Sequence, residues 1–180
     1  MGAALKVSGT EQFSQVADVI NKLASKELKT ELLHSLGAVA ESQTRRRIIS
    51  EKTAPSGERW PEWSDGYAST RHSGQSLLRG EGDLLDSIQF VVERGRVVLG
   101  SPLSYAGVHQ NGYSGTVRIG AHQRLITQAF GRALRYPVWQ SVGAFSRRME
   151  IPQREYLGVS ADNRDELLAV INDFWSEVLS

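Results

Sequence analysis

The chain has 180 residues, 40% of them apolar, and charges that nearly cancel at +1. That is enough for one hydrophobic core and too balanced for a protein that binds polyanions with its whole surface. It contains no cysteine, which excludes disulfides, thiolate catalysis and cysteine zinc sites together and fits a reducing compartment. The N-terminal residues lack the apolar run of a signal peptide and no stretch approaches the roughly 20 apolar residues that cross a bilayer, so the expectation is a soluble protein made and assembled in a cytoplasm.

Leu5 and Val7 alternate with polar neighbours and predict a short first strand. Thr10 stands where a helix N-cap would, ahead of Phe13, Val16, Ala17, Ile20 and Leu23 on one helical face. A second helix is predicted from near Ser25, with Leu28, Leu32, Leu36, Val39 and Ala40 leading toward Ile48. Arg45, Arg46 and Arg47 fall in its last turns, where cations favour the helix dipole, and read as a solvated helix end in preference to a phosphate site. From Thr53 to about Gly82 the periodicity disappears and Pro55, Gly57, Pro61, Gly66, Gly74 and Gly80 punctuate a segment holding Trp60 and Trp63. A stretch this long without periodicity is commonly functional or ordered by a partner.

Ile88, Phe90 and Val92 then alternate with polar residues, Arg94-Gly95 predicts a turn and Val97-Val98-Leu99 returns, giving a β-hairpin. Ser104 to Gln110 suits a helical turn stopped by Asn111-Gly112. Thr116 to Gln128 and Val138 to Ile151 each alternate apolar and polar residues, and Ile119-Gly-Ala-His-Gln-Arg aligns with Val142-Gly-Ala-Phe-Ser-Arg. The pair predicts two strands of one long ribbon joined through Phe130-Gly131, an arm over residues 116–151. A two-stranded ribbon is marginal in water and needs another surface, for which a neighbouring subunit is the natural candidate. After Pro152 and Tyr156-Leu157-Gly158, Asp162 is expected to cap a last amphipathic helix bearing Leu167, Leu168, Ile171, Phe174, Trp175 and Val178. The order predicts one α+β domain over residues 1–180, an antiparallel sheet packed by N-terminal and C-terminal helices, with the β-hairpin arm.

The four histidines, His34, His72, His109 and His122, are scattered with no partner at metal-ligand spacing. Asp83 and Asp86 read as turn caps, and neither a phosphate-cradling glycine loop nor a nucleophile elbow occurs. No catalytic residue, cofactor or metal is therefore expected. The charge asymmetry lies in the arm, where Arg118, Arg124, Arg132, Arg135, Arg147, Arg148 and Arg154 are answered only by Glu150. With Tyr136, Trp139 and Phe145 interleaved, this pattern suits either a protein interface or nucleic acid. Near-neutral total charge favours the interface, with a small nucleic-acid-binding module as the alternative and an unrecognised hydrolase behind both.

Five segments carry a family resemblance: Pro55-Ser-Gly-Glu-Arg-Trp60, Gly82-Asp-Leu-Leu-Asp-Ser-Ile88, Val98-Leu-Gly100, Tyr105-Ala-Gly-Val-His-Gln-Asn-Gly112 and Ile151-Pro-Gln-Arg-Glu-Tyr-Leu-Gly158. In order and spacing the chain resembles the phage virion morphogenesis family, the tail-completion proteins of Mu-type tailed phages. The departures are Tyr156, where many relatives carry Phe, and the variable stretch from Gly120 to Arg148. The resemblance implies a virion protein at the head–tail junction, a homo-oligomer forming a hexameric ring. Its neighbours would be neck or connector and tail-tube proteins, with genomic DNA passing through the channel without sequence readout and no membrane. Trp60 and Trp63 in the loop, and Arg118, Arg124, Arg132, Arg135, Trp139, Phe145, Arg147 and Arg148 in the arm, become candidate subunit contacts. Gly112, Pro152, Arg154, Tyr156 and Gly158 are expected to be structural, as are Tyr105, placed in the core, and His109 and Gln110, bonding backbone at the turn.

Overall fold

The computed structural model describes residues 17, 19–22, 24–129 and 131–180. The expected strand at Leu5 and Val7 and the Thr10 cap lie outside the described residues, while residues 17, 19–22 and 24 are helical. Helix α1, Lys26–Arg46, starts where Ser25 Oγ accepts the Leu28 N–H at 3.3 Å and carries Glu27 in its first turn and Arg45 and Arg46 in its last. It runs on as a π-helical turn, Arg47–Glu51, closed by Lys52 in the left-handed region at φ 56°, whose N–H returns to Arg47 O.

The irregular segment folds around a β-bridge between Thr53 and Arg59, a short helix α2 at Asp65–Ala68, and a second, α3, at Asp83–Asp86. Strands β1 (Gln89–Glu93) and β2 (Arg96–Gly100) pair antiparallel as expected. Arg94 and Gly95, at φ 49° and 75°, provide the two left-handed residues that a tight hairpin turn demands. Phe90 turns in toward α1 at Gly37, where a Cβ would strike the Phe90 ring. Helix α4, Ala106–Asn111, ends at Gly112 with φ 72°.

The arm is present and begins at Tyr113. Strand β3 (Tyr113–Ile119) pairs with β6 (Phe145–Ile151), and β4 (His122–Ala129) with β5 (Arg132–Val142), both antiparallel. Ile119 faces Phe145 and His122 faces Val142. The two halves of the sequence repeat therefore lie across from one another, and their Gly-Ala pairs make the matched interruption between the ladders. A larger irregularity follows, since Ile126 pairs with Val138 but Gln128 with Ala133. Pro137 sits in the extra loop of β5, where its missing N–H cannot serve a ladder.

The last helix, α5 (Ala161–Leu179), corrects one expectation: Ser160, not Asp162, is the N-cap. Ser160 Oγ accepts the Asn163 N–H at 3.2 Å and Asn163 Oδ1 accepts the Ser160 N–H at 3.4 Å, a reciprocal box that leaves Asp162 in the first turn. Helix α1 packs on the β1–β2 hairpin and on α5, giving an α+β fold of antiparallel two-stranded sheets with helices from both ends of the chain, in which α1 covers the hairpin and α5 covers α1. The core is Ile48, Trp60, Leu77, Leu84, Ile88, Ala106 and Tyr156. It draws on the π-turn, the irregular segment, α3, the residue before β1, α4 and the segment that follows the arm, while no described residue of the arm is buried.

Candidate functional site: the arm and its root

An arm with no buried residue among those described must be held where it leaves the body. The two segments flanking it, residues 105–112 and 151–158, meet in space. Gln110 Oε1 accepts the N–H groups of Tyr156 and Leu157 at 3.1 and 2.9 Å, and its Nε2 donates to Leu157 O at 3.1 Å. The Arg154 N–H donates to His109 O at 2.8 Å, and the buried Tyr156 hydroxyl to Ala106 O. At Gly112 a Cβ would stand 3.0 Å from Gln153 N, so the two sides of the root touch backbone to backbone there. Gln110 thus bonds backbone across the root and not at its own turn, because the amide faces the returning chain.

The loop is tied to the same place. The Arg154 guanidinium, almost wholly buried, donates to Pro61 O and Glu62 O at 2.8 and 3.1 Å. Trp60 Nε1 donates to Glu155 O at 3.0 Å, and Gly158 at φ 143° packs on the Pro55 ring. Trp60 is only 4% exposed; its indole belongs to the core, which corrects its placement among outward-facing contacts. Trp63 is half-buried and stands edge-on to Tyr67 with ring centres 5.8 Å apart.

The largest correction concerns the arginine triplet. Arg45 and Arg46 pair with Glu41, Glu51 and Glu166 near the surface, but Arg47 is 1% exposed. Its guanidinium donates to Tyr156 O at 3.0 Å, Gly158 O at 2.8 Å and Asn163 Oδ1 at 2.5 Å. Burial pulls its pKa down against the nearby Glu51. One side chain joins the end of α1, the returning root and the cap of α5. Nothing in a run of three arginines marks which one turns inward; the register of Leu32, Leu36, Ala40 and Ile48 is the available clue.

Between the root and the loop lies a cleft of about 580 Å³ lined by Trp63, Tyr67, Arg71, Tyr105, His109 and Glu150 among others. Tyr105 lines this cleft and is 40% exposed, not in the core as expected, because α4 turns Ala106 inward instead. His109 stands edge-on to it at 5.8 Å. The His109 Nδ1 is buried without a hydrogen-bond partner among the described residues, so the expected side-chain bond to backbone is not made. Burial, then the Arg154 charge, holds its pKa below the usual histidine value. Lys52, beneath the loop, donates to Ile48 O, Ser76 Oγ and Leu77 O, and burial followed by the Arg79 charge pushes its pKa down to about 8. Among the described residues no group of His, Asp or Glu is arranged to hold a metal ion.

The arm arginines remain at the surface. Arg148 pairs with Glu150 at 2.8 Å, Arg124 Nε donates to Gln140 at 2.8 Å, and Arg135 lies over Tyr136. Arg118, Arg132 and Arg147 have no carboxylate partner among the described residues. Leu125 and Trp139 face each other across the β4–β5 ladder, so they share one side of it, and are 47% and 66% exposed; Phe145 is 43% exposed nearer the root. Pro152 lines the cleft at the point where β6 ends.

Compared with known proteins, residues 11–175 match the model of the phage virion morphogenesis family. No curated protein and no solved structure matches the chain. No helix among the described residues is long and apolar enough to cross a membrane.

Proposed function

The chain belongs to the phage virion morphogenesis family, which gives it a structural role in assembling the phage particle, and from that premise we propose that it completes the tail at the head–tail junction. In this reading it works as one copy of a ring, probed most simply as a hexamer, around the channel through which DNA passes. Its neighbours are connector or neck proteins on one side and tail-tube proteins on the other, as in Mu-type phages. The observation that carries the reading is the arm: a ribbon roughly 50 Å long at strand rise, anchored by buried polar groups at its root and with none of its described residues buried. A closed ring needs one surface of each copy to fit a different surface of the next, and a projecting arm is such a surface.

The test is a phage lacking this protein, viewed by electron microscopy, with mass spectrometry of wild-type particles. Filled heads and separate tails that fail to join, with a few copies per wild-type virion, are expected. Infectious particles formed without the protein would overturn the reading.

A second reading, binding of single-stranded nucleic acid along the arm, is favoured by Arg118, Arg132 and Arg147 lacking carboxylate partners among the described residues and by the exposed Trp139. It predicts affinity for short oligonucleotides that falls steeply with salt; the ring reading expects no appreciable binding at physiological salt.

A further inference from the structure

The charges of this chain are separated in space. From Tyr113 to Ile151 the arm holds six arginines against the single Glu150, a net +5, so the rest of a chain that totals +1 carries −4. The negative charge is concentrated on α5. Asp162, Asp165, Glu166, Asp173 and Glu177 are all exposed and oppose only Arg164 on the helix. At 100° per residue these five carboxylates fall on one face, with Ala169 and Ser176 between them, while Leu167, Ile171, Phe174 and Val178 fall on the other. Of the five, only Glu166 has a basic side-chain partner among the described residues, Arg46. The stripe from Asp162 to Glu177 is about 22 Å long.

We propose that the arm of one copy docks on the acidic face of α5 of a second copy. This rests on the ring reading above and names its contact. The distal ladder brings what such a face lacks: cations at Arg132 and Arg135, and an aromatic anchor in Trp139, which stands 66% exposed beside Leu125. The helix brings carboxylates with small residues between them, a flat seat for an aromatic ring. Arginine and tryptophan are the residues that dominate binding energy when a contact is desolvated, and complementary charge sets the register and excludes like-charged surfaces. Arm meeting arm would oppose +5 with +5, so the charge disfavours a contact between two arms.

The absence of cysteine allows a direct test in the full chain. Ala133→Cys places a thiol near the arm tip and Ala169→Cys one in the acidic stripe; both positions are exposed. The two variants, mixed at about 100 μM and low salt under mild oxidation, should form the mixed disulfide about tenfold faster than either forms its own homodimer, since docking holds thiols at an effective concentration of order millimolar. Asp165→Lys with Asp173→Lys in the helix variant should abolish that excess. Arg132→Glu with Arg135→Glu in the arm variant should restore it against the reversed helix. Unchanged circular dichroism in each variant keeps folding out of the comparison.

Mixed and homodimeric disulfides forming at equal rates would overturn the proposal, as would charge reversal without effect. Either result would leave the deletion phenotype untouched, so failure of this contact and failure of the head–tail role are distinguishable.

Discussion

Arg47 offers the sharpest test of how the arm root is held. Replacing it with methionine keeps a comparable stem but removes every donor from a site where the residue is 1% exposed. Asn163 Oδ1 retains the Ser160 N–H, whereas Tyr156 O and Gly158 O lose the Arg47 bonds, the first fully buried and the second partly so. An unsatisfied buried acceptor costs about 1–3 kcal/mol, offset in part because the cation's own desolvation disappears. The expected loss for Arg47→Met is about 3 kcal/mol, and about 4 kcal/mol for Arg47→Ala, which also removes stem packing. Arg47→Lys should recover little, because an ammonium's donors radiate from one point and do not match acceptors set around a planar fork. With a urea m-value of about 2 kcal/mol per molar for a chain of this size, the methionine variant should unfold roughly 1.5 M earlier. A midpoint within about 0.25 M of wild type at unchanged m would refute the reasoning and show that the cluster contributes no net stability.

Further outcomes follow from the same geometry. Gly37→Ala should destabilise by about 1 kcal/mol in chemical denaturation despite alanine's better helix propensity, because overpacking against Phe90 outweighs the propensity gain. His109 has a folded pKa below its unfolded value. As pH falls below about 6.5, the unfolded chain takes up a proton that the folded chain refuses, so stability falls. His109→Gln should flatten that part of a thermal-melting profile between pH 6.5 and 5, while Glu166, held low by Gln43 and Arg46, titrates below that window. Limited trypsin digestion should cut the isolated chain first at Arg132 and Arg135 and spare both in assembled particles; equal cleavage in the two states would argue against burial of the arm tip on assembly.

What could be read in the sequence was whatever leaves a local trace. The β1–β2 hairpin was legible because Arg94-Gly95 punctuates two alternating runs, and α1 because its leucines recur at helical spacing after Ser25. The ribbon was legible from alternation, but the two expected strands are four, and the break at Gly120-Ala121 and Gly143-Ala144 was not read. Pro137 was the unread sign of the irregularity in β5. The root was not legible as geometry, because its bonds join residues more than 40 positions apart in the chain, as in Gln110 to Leu157. Trp60 and Tyr105 were exchanged for the same reason: an aromatic residue in an irregular segment carries no periodicity to say which way it faces. Trp60 went inside to reach Glu155 O, and Tyr105 was left lining a cleft.

The placement of the polar groups has a mechanical consequence. A core of seven buried apolar side chains among the described residues attracts surfaces without directing them, since hydrophobic burial is proportional to area and indifferent to angle. Hydrogen bonds are directional, and at the arm root they come from Arg47 and Gln110, which grip the returning segment from the end of α1 and from α4, and from Arg154, which reaches from that segment to the loop. A ribbon roughly 50 Å long turns a 10° tilt at such a root into a displacement of about 9 Å at its tip, far outside the tolerance of a docked side chain. Fixing the arm with apolar packing alone would leave that tilt soft. The expense of burying two arginines close to the point where the arm departs is therefore intelligible as directional stiffness, and loosening Arg154 or Gln110 should impair assembly at substitutions mild enough to leave the body folded.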